Sequence, residues 1–242
     1  MKVVAIIPAR YNSSRFKGKP LVDILGKPMI VRVYERVKKS KKIDEVYVAT
    51  DDKRIYEACI NNNLKVVMTG EHNTSTERVN EVAHQIEADV YVCINGDEPL
   101  IETEIIDKVI PDTISDELFV CNLITKIDAP SEVVDFTNIK VVFDKDDMAL
   151  FYSRSPIPYP KGFLEYDYYK HLGILSYNKK ALEFFANTAR GYNERIEDIN
   201  ELRFLENGVG IKLVKVEANS LSVDTPKDLD KVIMVMKEKN LR

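Results

Sequence analysis

Cysteine is scarce in this 242-residue chain, and Cys59, Cys93 and Cys121 are odd in number and far apart. That spacing excludes a disulfide framework and a cysteine-based metal site, and it fits a reducing compartment. Positive charge is also short: 35 Lys and Arg stand against 39 Asp and Glu, a net charge of −4. The chain offers no broad attraction to nucleic acid and lacks the basic aromatic surface such a partner needs. No apolar run is long enough to cross a membrane. The apolar stretch after Met1 meets Pro8 too soon to serve as a signal peptide. A cytoplasmic protein with neither membrane nor nucleic-acid partner is expected. Neither GxGxxG nor GxxxxGK[ST] occurs, which removes a dinucleotide fingerprint and a Walker loop. What remains is 45% hydrophobic and 31% charged residues, enough for one α/β domain over 1–242 with a buried core.

Residues 3–7 form a continuous apolar run, as expected for a strand covered on both faces. Further strands are predicted at 46–49, 64–68 and 90–94, alternating with helices at 28–39, 54–59, 76–86 and 102–109. Ile30, Val33, Tyr34 and Val37 share one face of the first helix. Four strand–helix alternations argue for a doubly wound, mostly parallel α/β sheet. The pattern then changes. Strands at 118–124, 139–143, 149–153 and 172–177, with less helix between them, are expected to extend the sheet antiparallel. They should project a flap around residues 156–169, within a subdomain at about 150–178. Helices at 179–186 and 196–205 follow, the second with Ile196, Ile199 and Leu202 inward and Asn207-Gly208 closing it. A last strand at 211–216 precedes a helix opened by Thr225-Pro226.

The loop after the first parallel strand is where α/β sheets bind ligands. Here it begins Pro8-Ala9-Arg10 and continues through Ser13, Ser14, Arg15, Lys17 and Lys19. Four cations, two hydroxyls and exposed backbone N–H groups are what a polyphosphate needs; a solvated basic loop is the plainer alternative. The fourth strand closes at Asn95-Gly96-Asp97-Glu98-Pro99, where Gly96 permits a tight turn and Asp97 projects toward the same cleft. Val223-Asp224-Thr225-Pro226 presents a second carboxylate at a strand-to-helix junction, although Asp224 could equally be a plain helix cap. One carboxylate from each junction, with phosphate oxygens and water, is a usual way to hold Mg²⁺, and Mg²⁺ is the expected cofactor.

Ile7-Pro8-Ala9-Arg10, then Ser14-Arg15-Phe16-Lys17-Gly18-Lys19-Pro20-Leu21, then Gly26-Lys27-Pro28-Met29-Ile30 resemble the N-terminal signature of the 3-deoxy-manno-octulosonate cytidylyltransferases, or CMP-Kdo synthetases. Thr76-Glu77-Arg78, Lys140-Val141-Val142-Phe143-Asp144, Ala149-Leu150-Phe151-Tyr152-Ser153-Arg154 and Lys170-His171-Leu172-Gly173-Ile174 extend the likeness. Members join CTP to the eight-carbon acid Kdo for lipopolysaccharide or capsule. The resemblance implies a nucleotide-diphospho-sugar transferase-like fold, a homodimer, and Arg10 and Lys19 on the CTP triphosphate. It implies that Pro8, Ala9, Ser13, Ser14, Arg15, Thr76, Arg78 and Asn95 complete the nucleotide site. Asp97 and Asp224 would be metal ligands, and Arg10, Lys19 and Asp97 the catalytic set. Arg154, His171, Tyr177, Asn200 and Glu201 would meet the acidic sugar. An arginine offers a carboxylate a bidentate fork, whereas His171, on a strand, reads equally as a core histidine. His72 and His84 read as surface residues. Tyr152, Tyr159, Tyr166, Tyr168 and Tyr169 lie in or beside the flap, as a dimer surface or a substrate rim.

Three departures bear on the acid. Family members usually read Gln-Gly-Asp, Ser-Gly-Thr and Glu-Gln where this chain has Asn95-Gly96-Asp97, Thr74-Ser75-Thr76 and Asn200-Glu201. Asn95 shortens an amide, and Ser75 adds a Cβ to a close loop. Glu201 replaces a neutral amide by an acceptor-only anion, which repels an acidic substrate unless that substrate carries a cation or offers hydroxyls. An amino-bearing analogue such as 8-amino-Kdo therefore stands beside Kdo. A sialic-type or small phosphorylated acid, or a non-catalytic nucleotide-binding relative, are the alternatives.

Overall fold

Val3, Ala5, Ile7 and Ala9 of the first strand, β1 (Val3–Ala9), enter one hydrophobic cluster, and Val4 and Ile6 enter another. Period-two alternation with both faces apolar can only be satisfied in the middle of a covered sheet. Each Val or Ile among them contributes roughly 1.5–3 kcal/mol by leaving water. The computed structural model describes residues 1–12, 16–162, 165–218 and 221–239. After β1 come a 3₁₀ turn at Lys19–Leu21 and a hairpin of β2 (Asp23–Ile24) with β3 (Lys27–Pro28). The alternation continues through α1 (Met29–Val37), β4 (Glu45–Thr50), α2 (Lys53–Asn61), β5 (Val66–Met68), α3 (Ser75–Ala83) and β6 (Val90–Ile94). α4 (Thr103–Ile106) runs into a 3₁₀ turn at Asp107–Val109. Then follow β7 (Val120–Lys126), α5 (Pro130–Val134), β8 (Lys140–Phe143), β9 (Ala149–Ser153) and β10 (Tyr169–Tyr177). α6 (Lys179–Asn187), α7 (Tyr192–Glu197), α8 (Glu201–Glu206), β11 (Lys212–Val216) and α9 (Pro226–Glu238) complete the described elements.

The main sheet has the order β11-β7-β10-β6-β1-β4-β5, with β8 paired to β10 and to β9. β6, β1, β4 and β5 are parallel neighbours, so the doubly wound reading holds. β10 runs antiparallel between β6 and β7, and β11 returns parallel to β7. α1, α2 and α4 cover one face, while α3, α6 and α8 cover the other. Phe204 of α8 centres the second face, its ring 5.3 Å from Phe185 and 6.0 Å from Tyr177. A third cluster packs α9, through Val232 and Met236, on Ile24 and Met29 beside the hairpin. No helix among the described residues is long and apolar enough to cross a membrane.

Three sequence expectations are corrected. The single helix at 196–205 is two helices, because Asp198 adopts a left-handed conformation (φ 52°) between α7 and α8. The break rotates Ile196 out to 65% exposure while Ile199 and Leu202 remain buried. The late strands do not simply extend the sheet, since β10 is inserted within it. The segment before Asp224 is irregular rather than a strand, and Thr225 caps α9, with its N–H donating to Asp228 at 2.9 Å. Asp224 is thereby released from the capping role that the sequence left open.

Candidate active site

β1 and β6 are adjacent and parallel, so the loops leaving their C-terminal ends emerge on the same edge of the sheet. The first delivers Pro8, Ala9 and Arg10, and the second delivers Asn95, Gly96 and Asp97. The backbone N–H of Val223 donates to the Asp97 carbonyl at 2.8 Å, which docks the distant segment carrying Asp224 onto the β6 loop. Gly18, at φ 75°, turns the first loop back, its N–H bonding the Tyr11 carbonyl at 2.8 Å. That turn swings Lys19 into place. Its Nζ donates to Asp97 Oδ2 at 2.9 Å and to Asp224 Oδ1 at 3.2 Å. One ammonium thus holds together two carboxylates separated by most of the sequence. The three side chains are 13%, 24% and 27% exposed, so they face the cleft while being shielded from bulk water.

The cleft has a volume of about 330 Å³ and includes Pro8, Ala9, Arg10, Lys19, Arg78, Asn95, Asp97, Asn200 and Asp224 in its wall. Those nine sequence-predicted residues are brought together. An adjoining cavity of about 410 Å³ shares Arg10, His72 and Arg78 with it. Arg10 is exposed, and its guanidinium has no ion-pair partner among the described residues. Arg78 is 3% exposed and held by Thr69, by the Gly70 carbonyl and by Asp51 at 3.3 Å. Asn95 packs against Gly173 so closely that a Cβ there would lie 2.1 Å from its Nδ2, so the amide is fixed by the missing side chain. Ser13, Ser14 and Arg15 lie outside the described residues.

Other predicted residues stand away from the cleft wall. Thr76 is 1% exposed beneath it, and Tyr177, also 1% exposed, belongs to the hydrophobic cluster around Phe204. Arg154 donates Nε to the Glu197 carbonyl at 2.6 Å, Nη1 to that of Phe136 at 3.1 Å and Nη2 to that of Asp198 at 3.1 Å. It therefore serves as a cap on the exposed carbonyls of α7. His171 sits in a polar network below. Buried Asn122 donates Nδ2 to the carbonyls of Leu172 and Ile174 at 2.9 and 3.1 Å, leaving Oδ1 as an acceptor. That oxygen accepts from Tyr152 Oη at 3.2 Å and pairs with His171 Nδ1 at 3.0 Å. The proton of the imidazole is thereby assigned to Nδ1. Burial pushes His171 below the ordinary imidazole range, with the nearby Glu201 carboxylate opposing and Arg154 reinforcing the shift. Glu201, 7% exposed, completes this layer.

The sequence reading missed several wall residues. His72, expected at the surface, lines both cavities and pairs with Glu81. Asn73, Thr74 and Ser75 line the cleft from the start of α3, where Thr74 and Glu77 form a reciprocal capping box at 3.1 and 3.2 Å. That box was visible as Thr-x-x-Glu ahead of an apolar run. Arg190 and Asp198 also line the cleft, and no sequence motif marks them.

Loops from adjacent parallel strands, a basic turn and two converging carboxylates at a switch edge define an α/β nucleotidyltransferase. Residues 4–216 match the cytidylyltransferase family. The chain is 42% identical over 247 residues to the mitochondrial 3-deoxy-manno-octulosonate cytidylyltransferase of Arabidopsis thaliana, covering 99% of this chain and 85% of that one. It is 38% identical over 236 residues to the Escherichia coli enzyme of the same name, covering 97% and 96%. A solved CMP:2-keto-3-deoxy-manno-octonic acid synthetase complexed with CTP superposes with a TM-score of 0.92 at 39% identity, covering 99% of this chain and all of that one. The chain belongs to the 3-deoxy-manno-octulosonate cytidylyltransferase family and is a nucleotidyltransferase.

Proposed function

We propose that this enzyme couples CTP to a Kdo-type acid, releasing pyrophosphate, on a path to lipopolysaccharide or capsule. The convergence of Lys19, Asp97 and Asp224 carries the reading. Two hard carboxylates suit Mg²⁺, which is commonly held by one or two protein carboxylates together with substrate phosphates and water. Among the described residues no group of three or more His, Cys, Asp or Glu forms a closed cage, which suits a site shared with phosphate. Asp97 and Asp224 would hold the ion, and its charge would offset that of the triphosphate. Lys19 then turns from the carboxylates to a phosphate oxygen, and Arg10 supplies a further cation. Asn95 and the loop 72–75 wall the nucleoside. The acid's anomeric oxygen forms a bond to the α-phosphorus, the bond to the bridging oxygen breaks, pyrophosphate leaves with the electron pair, and the hydroxyl proton passes to solvent. Catalysis is positioning and charge stabilisation.

The acceptor-only Glu201, which stands where family members usually carry a neutral amide, supports an amino-bearing acid beside Kdo, because a substrate ammonium would pair with its carboxylate. Pyrophosphate release with CTP and Mg²⁺, measured across Kdo, 8-amino-Kdo, sialic-type and small phosphorylated acids, tests both readings. Turnover of none removes the proposed reaction. Preference for 8-amino-Kdo that E201Q reverses supports the charge reading, and a wild-type preference for Kdo sinks it.

The same proposal includes a homodimer in the cytoplasm. All three cysteines are buried thiols, each pushed up to about 12 by burial, as suits a reducing compartment. Val134, Phe136 and Ile196 are 72%, 68% and 65% exposed, and Phe136 and Glu197, the chain neighbour of Ile196, both meet Arg154. A second copy would cover this apolar face. Sedimentation should give a dimer for the wild type and a monomer for F136E/I196E; an unchanged dimer would move the interface elsewhere.

A further inference from the structure

The proposed acid brings a carboxylate into the cleft, and four arginines stand near enough to be considered. Arg154 has Nε, Nη1 and Nη2 committed to three backbone carbonyls. Arg78 is 3% exposed and held by Asp51, Thr69 and Gly70. Arg10 leaves β1 with the phosphate loop. Arg190 differs from all three. It lines the cleft with its side chain 37% exposed.

Its two edges are held in opposite ways. Nε donates to Glu194 Oε1 at 3.2 Å. Glu194 is fully buried and gripped by Arg203, Nε to Oε2 at 2.8 Å and Nη2 to Oε1 at 2.7 Å. The inner edge is therefore tied to a fixed anchor. The outer edge donates Nη2 to Asp198 Oδ1 at 3.0 Å, and the Asp198 side chain is 80% exposed on the left-handed turn between α7 and α8. A pair so exposed is worth little, and exchanging one carboxylate for another leaves the local charge balance unchanged.

We infer that Arg190 reads the carboxylate of the acidic substrate, and that Asp198 is a displaceable placeholder for it. This rests on the function proposed above and names the residue that selects its substrate class. In a 2-keto acid closed to its ring form, the carboxylate and the reacting hydroxyl share one carbon. Fixing the carboxylate on Arg190 fixes the hydroxyl relative to the α-phosphorus. A neutral sugar lacks the group that displaces Asp198, and the cleft discriminates against it.

The test is steady-state pyrophosphate release by wild type, R190Q, R190K and D198N, with CTP and Mg²⁺, varying the acid that the wild type uses best and then varying CTP. R190Q is expected to raise KM for the acid about tenfold or more, with KM for CTP unchanged, because a charge-assisted contact to one substrate is lost. R190K should recover part of that loss, and D198N should lower KM for the acid about twofold by removing the competitor. An acid KM unchanged in R190Q, or a matching rise in KM for CTP, overturns the assignment while leaving the reaction intact. Should R190Q fold poorly by thermal melt, D198N decides: a raised acid KM overturns the placeholder. Wild type that releases pyrophosphate with no acid removes the underlying reading, an outcome distinct from all of these.

Discussion

Asp97→Asn is expected to cut kcat/KM for pyrophosphate release by on the order of 10³-fold, the scale seen when one fixed electrostatic group is removed from a transition state. The substitution keeps the shape of the side chain and removes its charge. In the free protein Lys19 would keep Asp224 at 3.2 Å as a partner, and all three groups are partly exposed. Stability should therefore change by only about 1 kcal/mol or less. The combination is diagnostic: an unchanged melt, lost turnover, and CTP binding that no longer tightens with Mg²⁺ in calorimetry. Near-wild-type turnover would falsify the assignment of Asp97 as a metal ligand, and a large fall in melting temperature would recast it as a structural residue.

Arg203→Met is expected to show the opposite profile. Arg203 and Glu194 are 3% and 0% exposed in their side chains and form a two-bond pair. Arg203 Nη1 also donates to the carbonyls of Phe185 and Thr188 at 3.0 and 3.3 Å, and its guanidinium lies 3.8 Å over the Phe185 ring. Truncation leaves a buried carboxylate that keeps Arg190 as its one ion-pair partner among the described residues, and such losses cost about 3–5 kcal/mol. For a protein of this size that is a fall of roughly 10 °C in melting temperature. Adding Glu194→Leu removes the stranded charge. The double variant should therefore lose less than the sum of the singles, with a coupling of about 2 kcal/mol from denaturant melts. Additive losses would mean that the packing of the Arg203 stem matters and the pair does not.

The legible parts of this molecule were those written in local pattern. The apolar run of β1, the basic turn through Lys19 and the Asn95-Gly96-Asp97 strand end all lie where the sequence placed them. What stayed hidden depends on partners distant in the chain. Nothing in Asp198-Ile199-Asn200 carries the glycine or proline that usually marks a helix break, so one helix was expected where there are two. Arg154 matched a motif, but the carbonyls that occupy it come from a helix end that periodicity alone did not reveal. Tyr177 shares its parity along β10 with Leu175, and both face the α3 and α6 side. The parity could be read, whereas the position of that face relative to the cleft could not. Arg190 escaped for the same reason, since its role follows from an anchor formed by two other helices.

The place of β10 has a consequence for how the chain folds. β6 and β7 have no contact as sheet neighbours until residues 169–177 slide between them. A chain emerging from the ribosome at about 5–20 residues per second therefore leaves the facing edges of β6 and β7 unpaired during the interval between β7 and β10. Such edges pair readily with another copy of the same strand. Joining non-local strands late also slows the search for the native topology. Yield during rapid synthesis is thus governed by how long that gap stays open, and a variant with an unchanged melting temperature can still be lost to aggregation if it delays the insertion of β10.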